Sequence, residues 1–108
     1  MSPITTHVLD TASGKPASGV AVTLEYRGSP GVWQPLADGR TDANGRVRDL
    51  LPDDYPLKPG LYGLRFDTSA RSMFFPEVVL RFQIDDVRQH YHVPLLLGPF
   101  SFTTYRGS

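Results

Sequence analysis

The chain contains no cysteine. That single absence removes disulfides, thiol nucleophiles and thiolate metal sites, and it fits a reducing compartment. A surplus of charge is missing too: eleven basic residues cancel eleven acidic ones, so no broad field draws nucleic acid or an anionic membrane. The longest apolar run, residues 93–97, is far short of the roughly 20 residues a membrane-spanning helix needs. No basic leader followed by an apolar stretch opens the chain, so a cytoplasmic protein is expected. At 108 residues there is material for one hydrophobic core, and one domain over 1–108 is expected.

What is present reads as strand and turn. Ten glycines and ten prolines are spread evenly and leave little room for helices. Between them lie runs rich in Val, Leu, Phe, Tyr and Thr that often alternate with polar residues, the period of a half-buried strand. Eight such runs stand out, over residues 4–10, 20–26, 32–38, 46–50, 61–67, 77–84, 89–97 and 100–105. Turns separate them, at Ser13-Gly14-Lys15-Pro16, Gly28-Ser29-Pro30-Gly31, Asp42-Ala43-Asn44-Gly45, Pro59-Gly60 and Gly98-Pro99. Only residues 68–74 could hold a helix, of one or two turns. The spacing predicts an all-β antiparallel sandwich.

In the seventh run Tyr91, Val93 and Leu95 fall on one face and His90, His92, Pro94 and Leu96 on the other. Both faces carry apolar residues, so one serves the core and the other meets a ligand, a neighbouring subunit, or both. Pro94 has no amide hydrogen and marks an edge or a distorted stretch.

The chain has three histidines. His7 lies on the first run beside Thr5 and Leu9, and His90 and His92 share a face of the seventh. A strand histidine is by default a partly buried aromatic with a hydrogen-bond partner. Three chemical readings compete with that default. His-x-His plus a third histidine is a ligand set for catalytic zinc. A Ser-His-acid hydrolase would need a nucleophile elbow, and no Gly-x-Ser-x-Gly is present. In metal-free hydrolysis a neutral histidine activates water while an arginine stabilises the oxyanion. Spacing alone leaves these open.

Longer segments narrow the choice. The chain opens with Thr6-His7-Val8-Leu9-Asp10, continues through Gly14-Lys15-Pro16-Ala17 and Thr41-Asp42-Ala43-Asn44-Gly45-Arg46, and reaches His90-Tyr91-His92-Val93-Pro94-Leu95-Leu96. It closes with Thr103-Thr104-Tyr105-Arg106-Gly107-Ser108. In this order and spacing the chain resembles the 5-hydroxyisourate hydrolase family, the enzymatic relatives of transthyretin, over essentially its whole length. The Tyr-Arg-Gly-Ser end paired with the histidine motif is the most specific signal.

The resemblance implies a sandwich of two four-stranded sheets with one short helix, although residues 68–73 are shorter than the family's helix-bearing segment. It implies a homotetramer, a dimer of dimers whose central channel holds the active sites. The implied reaction is hydrolytic opening of the six-membered ring of 5-hydroxyisourate to 2-oxo-4-hydroxy-4-carboxy-5-ureidoimidazoline, in urate breakdown, with no cofactor and no metal. By motif position the catalytic residues fall on His7, Arg46, His92 and Ser108. His92, alone or with His7, would take a proton from water, Arg46 would face the oxyanion, and Ser108 would supply a hydroxyl.

Around them, strand alternation makes Leu9, Pro94, Leu96 and Thr103 channel-lining candidates for substrate contact. His90 is expected to support rather than catalyse. Tyr105 and Arg106 join the binding residues by pinning the tail, and Arg40 could share binding with Arg46. Competing classes are a transthyretin-like carrier with no turnover, a structural or adhesion domain needing none of these motifs, and a zinc hydrolase sensitive to chelators.

Overall fold

The computed structural model describes residues 2–28 and 31–108. Ser29 and Pro30 of the Gly28–Gly31 turn lie outside the described residues. Among the described residues nine strands form two sheets: β1 (Ile4–Asp10), β2 (Lys15–Pro16), β3 (Ala21–Arg27), β4 (Trp33–Arg40), β5 (Arg46–Val47), β6 (Gly60–Asp67), β7 (Glu77–Ile84), β8 (Tyr91–Leu97) and β9 (Phe102–Thr104). One sheet runs β4-β3-β6-β7; the other runs β2-β1-β8-β9, with β5 also paired to β1. The all-β sandwich expected from the spacing is what the chain forms.

Each sheet turns one side inward because its apolar residues recur every second position. Ile4 and Val8 of β1 and Val93, Leu95 and Leu97 of β8 meet Val22, Leu24, Tyr62, Leu64, Phe66, Val78 and Leu80 of the other sheet, all buried. Each such side chain contributes about 1.5–3 kcal/mol on leaving water. Two polar groups enter this interior already satisfied. The Thr6 hydroxyl donates to the Val93 carbonyl at 2.6 Å, and the Tyr62 hydroxyl donates to that of Lys58 at 2.7 Å.

Several details depart from the expected pattern, for local reasons. Strands β1 and β8 pair in parallel, because the chain crosses to the other sheet and back between them. The sheet that carries them has five strands rather than four: β2 and β5 are two-residue strands that share the remaining edge of β1, at Leu9–Asp10 and Thr6–His7 respectively. Strand β5 stops at Val47 rather than 50, since the chain bends there to bury Leu50 and Leu51. Strand β8 begins at Tyr91, leaving Gln89 and His90 before it. Strand β4 runs on to Arg40 and carries Pro35 on an edge, where its missing N–H costs no ladder bond. Residues 68–74 form no helix; Thr68 closes one turn, its carbonyl accepting from Arg71 and Ser72.

Pro94 explains a gap in the β8–β9 ladder. Leu95 pairs with Thr104, and the same register resumes at His92 and Gly107. Between them the ladder lapses where Pro94 has no N–H to give.

Candidate functional site

Strand register collects the chemistry on the outer face of the five-stranded sheet. His7 lies opposite Arg46 of β5 on one side and Pro94 of β8 on the other. One row along, Thr5 is opposite His92, which in turn faces Gly107. In the other direction, Leu9 is opposite Leu96 and Leu96 opposite Thr103. Residues opposed across neighbouring strands project to the same face. The structure therefore brings together His7, Arg46, His92, Leu9, Pro94, Leu96 and Thr103.

Arg46 owes its place to the loop before it. Asp42 Oδ1 accepts from the main-chain N–H of Asn44 at 2.8 Å and of Arg46 at 3.0 Å, curling the chain into a tight turn. Gly45 completes the turn at φ +74°, and its carbonyl accepts from the Val8 N–H at 2.7 Å. A Cβ at this position would stand 2.4 Å from the Val8 carbonyl oxygen. Glycine is required here twice over, by conformation and by close approach.

A cavity of about 310 Å³ opens on this face, lined by Thr5, Thr6, Arg46, Arg48 and His92. Arg48 was not singled out in the sequence. Its signal there was alternation alone, two positions after Arg46 with buried Val47 between them.

The electrostatics favour neutral imidazoles. Partial burial lowers the His92 pKa below the ordinary 6.5, and the positive charge of Arg46 and the neighbouring His7 and His90 lower it further. His7 is lowered as well, first by burial and then by Arg46, against opposing pulls from the Asn44 main chain and Asp42. Both rings are thus uncharged at neutral pH, the form that accepts a proton.

The C-terminal tail reaches the site within the same chain. The Gly107 N–H donates to the His92 carbonyl at 2.7 Å. The Arg106 guanidinium lies 4.5 Å from the centre of the Tyr91 ring and donates to Gln89 Oε1 at 2.7 Å. Ser108 follows directly on the point where the tail meets His92. Arg106 is thereby held by Tyr91 and Gln89 of its own chain. It and Tyr105 line a separate cavity of about 390 Å³ with Phe82, Tyr91 and Val93, at the open edge between the sheets, and not the His7–His92 face. Arg40 is also elsewhere: it ends β4 in the other sheet and donates to the Gly19 carbonyl at 2.9 Å. His90 stands beside the site, its Nε2 3.0 Å from the Thr5 hydroxyl. Among the described residues no three acidic, histidine or cysteine side chains cluster as a metal ligand set.

The chain is similar to known proteins over nearly its whole length. Residues 4–107 match the profile of the HIUase/Transthyretin family. The chain is 46% identical over 120 residues to a bifunctional uric acid degradation protein of Arabidopsis thaliana, covering 98% of this chain but only 37% of that protein. It is 46% identical to 5-hydroxyisourate hydrolase of Mus musculus, covering 99% of this chain and 96% of the mouse protein. Among solved structures, Klebsiella pneumoniae 5-hydroxyisourate hydrolase superposes with a TM-score of 0.81 at 36% identity, over 97% of this chain and 98% of that one. Transthyretin from Sparus aurata superposes with a TM-score of 0.88 at 30% identity, over 99% and 97%.

Proposed function

Because the chain belongs to the HIUase/Transthyretin family, we propose that it is a hydrolase that opens the ring of 5-hydroxyisourate in urate breakdown, and that His92, His7 and Arg46 carry the reaction. The observation that bears most weight is their convergence: three residues distant in sequence meet on one sheet face, beside a cavity, with both imidazoles held neutral.

The chemistry follows from that arrangement. His92 takes a proton from water as the oxygen bonds to the ring carbonyl carbon. The carbonyl oxygen becomes an oxyanion, which the Arg46 guanidinium meets with a planar, permanently charged pair of donors. Collapse breaks the carbon–nitrogen bond, the leaving nitrogen takes the proton back from imidazolium, and the new carboxylic acid ionises. His7, opposite Arg46, orients the substrate and steadies the leaving nitrogen, while the Ser108 hydroxyl borders the reacting carbon. Arg48 offers a second cation for the carboxylate that forms. No cofactor is needed for any of these steps.

The same face carries Leu9, Pro94 and Leu96, which are not fully covered within one chain apart from Pro94. A homotetramer, two dimers enclosing these faces in a central channel, would cover them and exclude water around the substrate. A cytoplasmic setting suits a chain without cysteine. The structural likeness to transthyretin keeps one other reading in view, a carrier of small ligands in that channel; the paired neutral histidines beside an arginine are what a carrier has no use for.

The test is the ultraviolet decay of freshly generated 5-hydroxyisourate with and without chelator-treated protein. Loss of the signal well ahead of spontaneous decay is expected. Decay at the spontaneous rate in the presence of folded protein would bring the carrier reading forward.

A further inference from the structure

His92 can act as a base only if the ring nitrogen offered to water is unprotonated, so what fixes its tautomer matters. Thr5, 6% exposed and directly opposite His92 across β1 and β8, touches that question from both sides. Its hydroxyl oxygen lies 2.8 Å from His92 Nδ1 and 3.0 Å from His90 Nε2. A hydroxyl has one proton to give. It therefore donates to one ring nitrogen and accepts from the other. If it donates to His92, the hydrogen of that ring sits on Nε2 and the base is disarmed. If it donates to His90, the His92 hydrogen sits on Nδ1 and Nε2 carries a free lone pair.

We infer that the chain runs the second way: Thr5 donates to His90 Nε2 and accepts from His92 Nδ1–H, so that Thr5 and His90 are positioning residues that hold His92 in its base-competent tautomer. This rests on the reading of His92 as the base.

Two features support the direction. His90 is exposed, so water can take its remaining Nδ1–H and the required tautomer there costs little. The tail then holds the ring in place: Gly107 donates to the His92 carbonyl at 2.7 Å, and a Cβ at 107 would lie 2.5 Å from His92 Cδ2. The imidazole is thus flanked by Thr5 on its Nδ1 side and by bare glycine backbone at Cδ2. Thr5 is on the outer face of a strand whose neighbours Ile4 and Thr6 face the core, so its threonine is not required for packing.

Two measurements on the full chain decide the matter. Long-range proton–nitrogen correlation on histidine-labelled protein reads each ring nitrogen directly. His92 is expected to show a protonated Nδ1 and an unprotonated Nε2, and His90 the same pattern. Thr5→Val keeps the shape and β-branching while removing the hydroxyl. It should lower kcat about tenfold, equivalent to about 1.4 kcal/mol, with KM little changed and the His92 signals moved toward a mixture of tautomers. Thr5→Ser, which restores the hydroxyl, should recover most of the rate. A proton on His92 Nε2 in the unsubstituted chain, or an unchanged kcat in Thr5→Val, would overturn the inference. Should Thr5→Val fail to fold, the ring-nitrogen shifts of the unsubstituted chain decide alone. Absence of turnover in that chain would instead sink the hydrolase reading, and the same shifts would still report the tautomer.

Discussion

Replacing Gly45 by alanine tests how Arg46 is held, and Gly14 supplies an internal control. The two glycines share one backbone conformation, φ +74° and +72°. An alanine in that region costs about 1–2 kcal/mol at either site. They differ in what surrounds them. A Cβ on Gly14 meets nothing within 4 Å, whereas on Gly45 it would stand 2.4 Å from the Val8 carbonyl oxygen, 3.1 Å from Pro16 and 3.2 Å from the His7 ring. The Val8 carbonyl cannot retreat freely, because it accepts from the Ala17 N–H at 2.9 Å. The loop must move instead, loosening the Val8–Gly45 hydrogen bond and the two that Asp42 makes to the turn. At about 1 kcal/mol for each of the three bonds weakened, Gly45→Ala should cost roughly 3 kcal/mol more than Gly14→Ala. For a domain of this size that gap is about 12–24 °C in Tm, read by thermal denaturation at matched protein concentration. Gly45→Ala should also slow turnover at least tenfold by displacing Arg46, while Gly14→Ala leaves it intact. Equal melting temperatures for the two variants would refute the claim that close backbone approach fixes the Arg46 loop.

Arg46→Lys keeps the charge but loses the planar pair of donors, and kcat/KM should fall about 10²-fold, the usual effect of removing an oxyanion donor. Arg46→Met should also raise the His92 pKa, since the guanidinium charge holds it below 6.5; proton NMR titration of the imidazole would show the midpoint moving up. The acid limb of kcat/KM in the unsubstituted chain should lie below pH 6.5 for the same reason, activity persisting above it and fading as pH falls through the lowered value. A limb centred at or above 6.5 would contradict the neutral-histidine arrangement. Arg48→Ala should lower kcat several-fold with KM little changed, because Arg48 lines the cavity wall and the carboxylate it would meet forms only as the ring opens.

The sandwich was legible because each strand's face is written in a period-two pattern bounded by glycine and proline. The site was legible in part for the same reason: alternation alone places His92, Pro94 and Leu96 on one face, and the motifs named His7 and Arg46. What alternation cannot supply is which strands become neighbours. Thr5, hidden among three consecutive buried residues of β1, gained its role only when the parallel β1–β8 register set it against His92. Arg40 stands near Arg46 in sequence, but the turn at Asp42 sends the two into different sheets. Tyr105 and Arg106, expected to pin the tail, line the cavity at the edge of the sandwich, where Arg106 rests on Tyr91 and donates to Gln89. Residues 68–74 have the composition for a turn of helix, but only a hydrogen-bonded turn closes there, at the Thr68 carbonyl, and no helix forms.

The most direct test of catalysis on this face is the turnover of 5-hydroxyisourate by His92→Ala, compared with the unsubstituted chain at equal concentration and equal thermal stability. A fall in kcat of at least about 10²-fold, the low end of general-base catalysis, with the acid limb near the His92 pKa lost, is the expected result. Full activity in a folded His92→Ala protein would contradict the assignment of His92 as the base and with it the mechanism built on this sheet face.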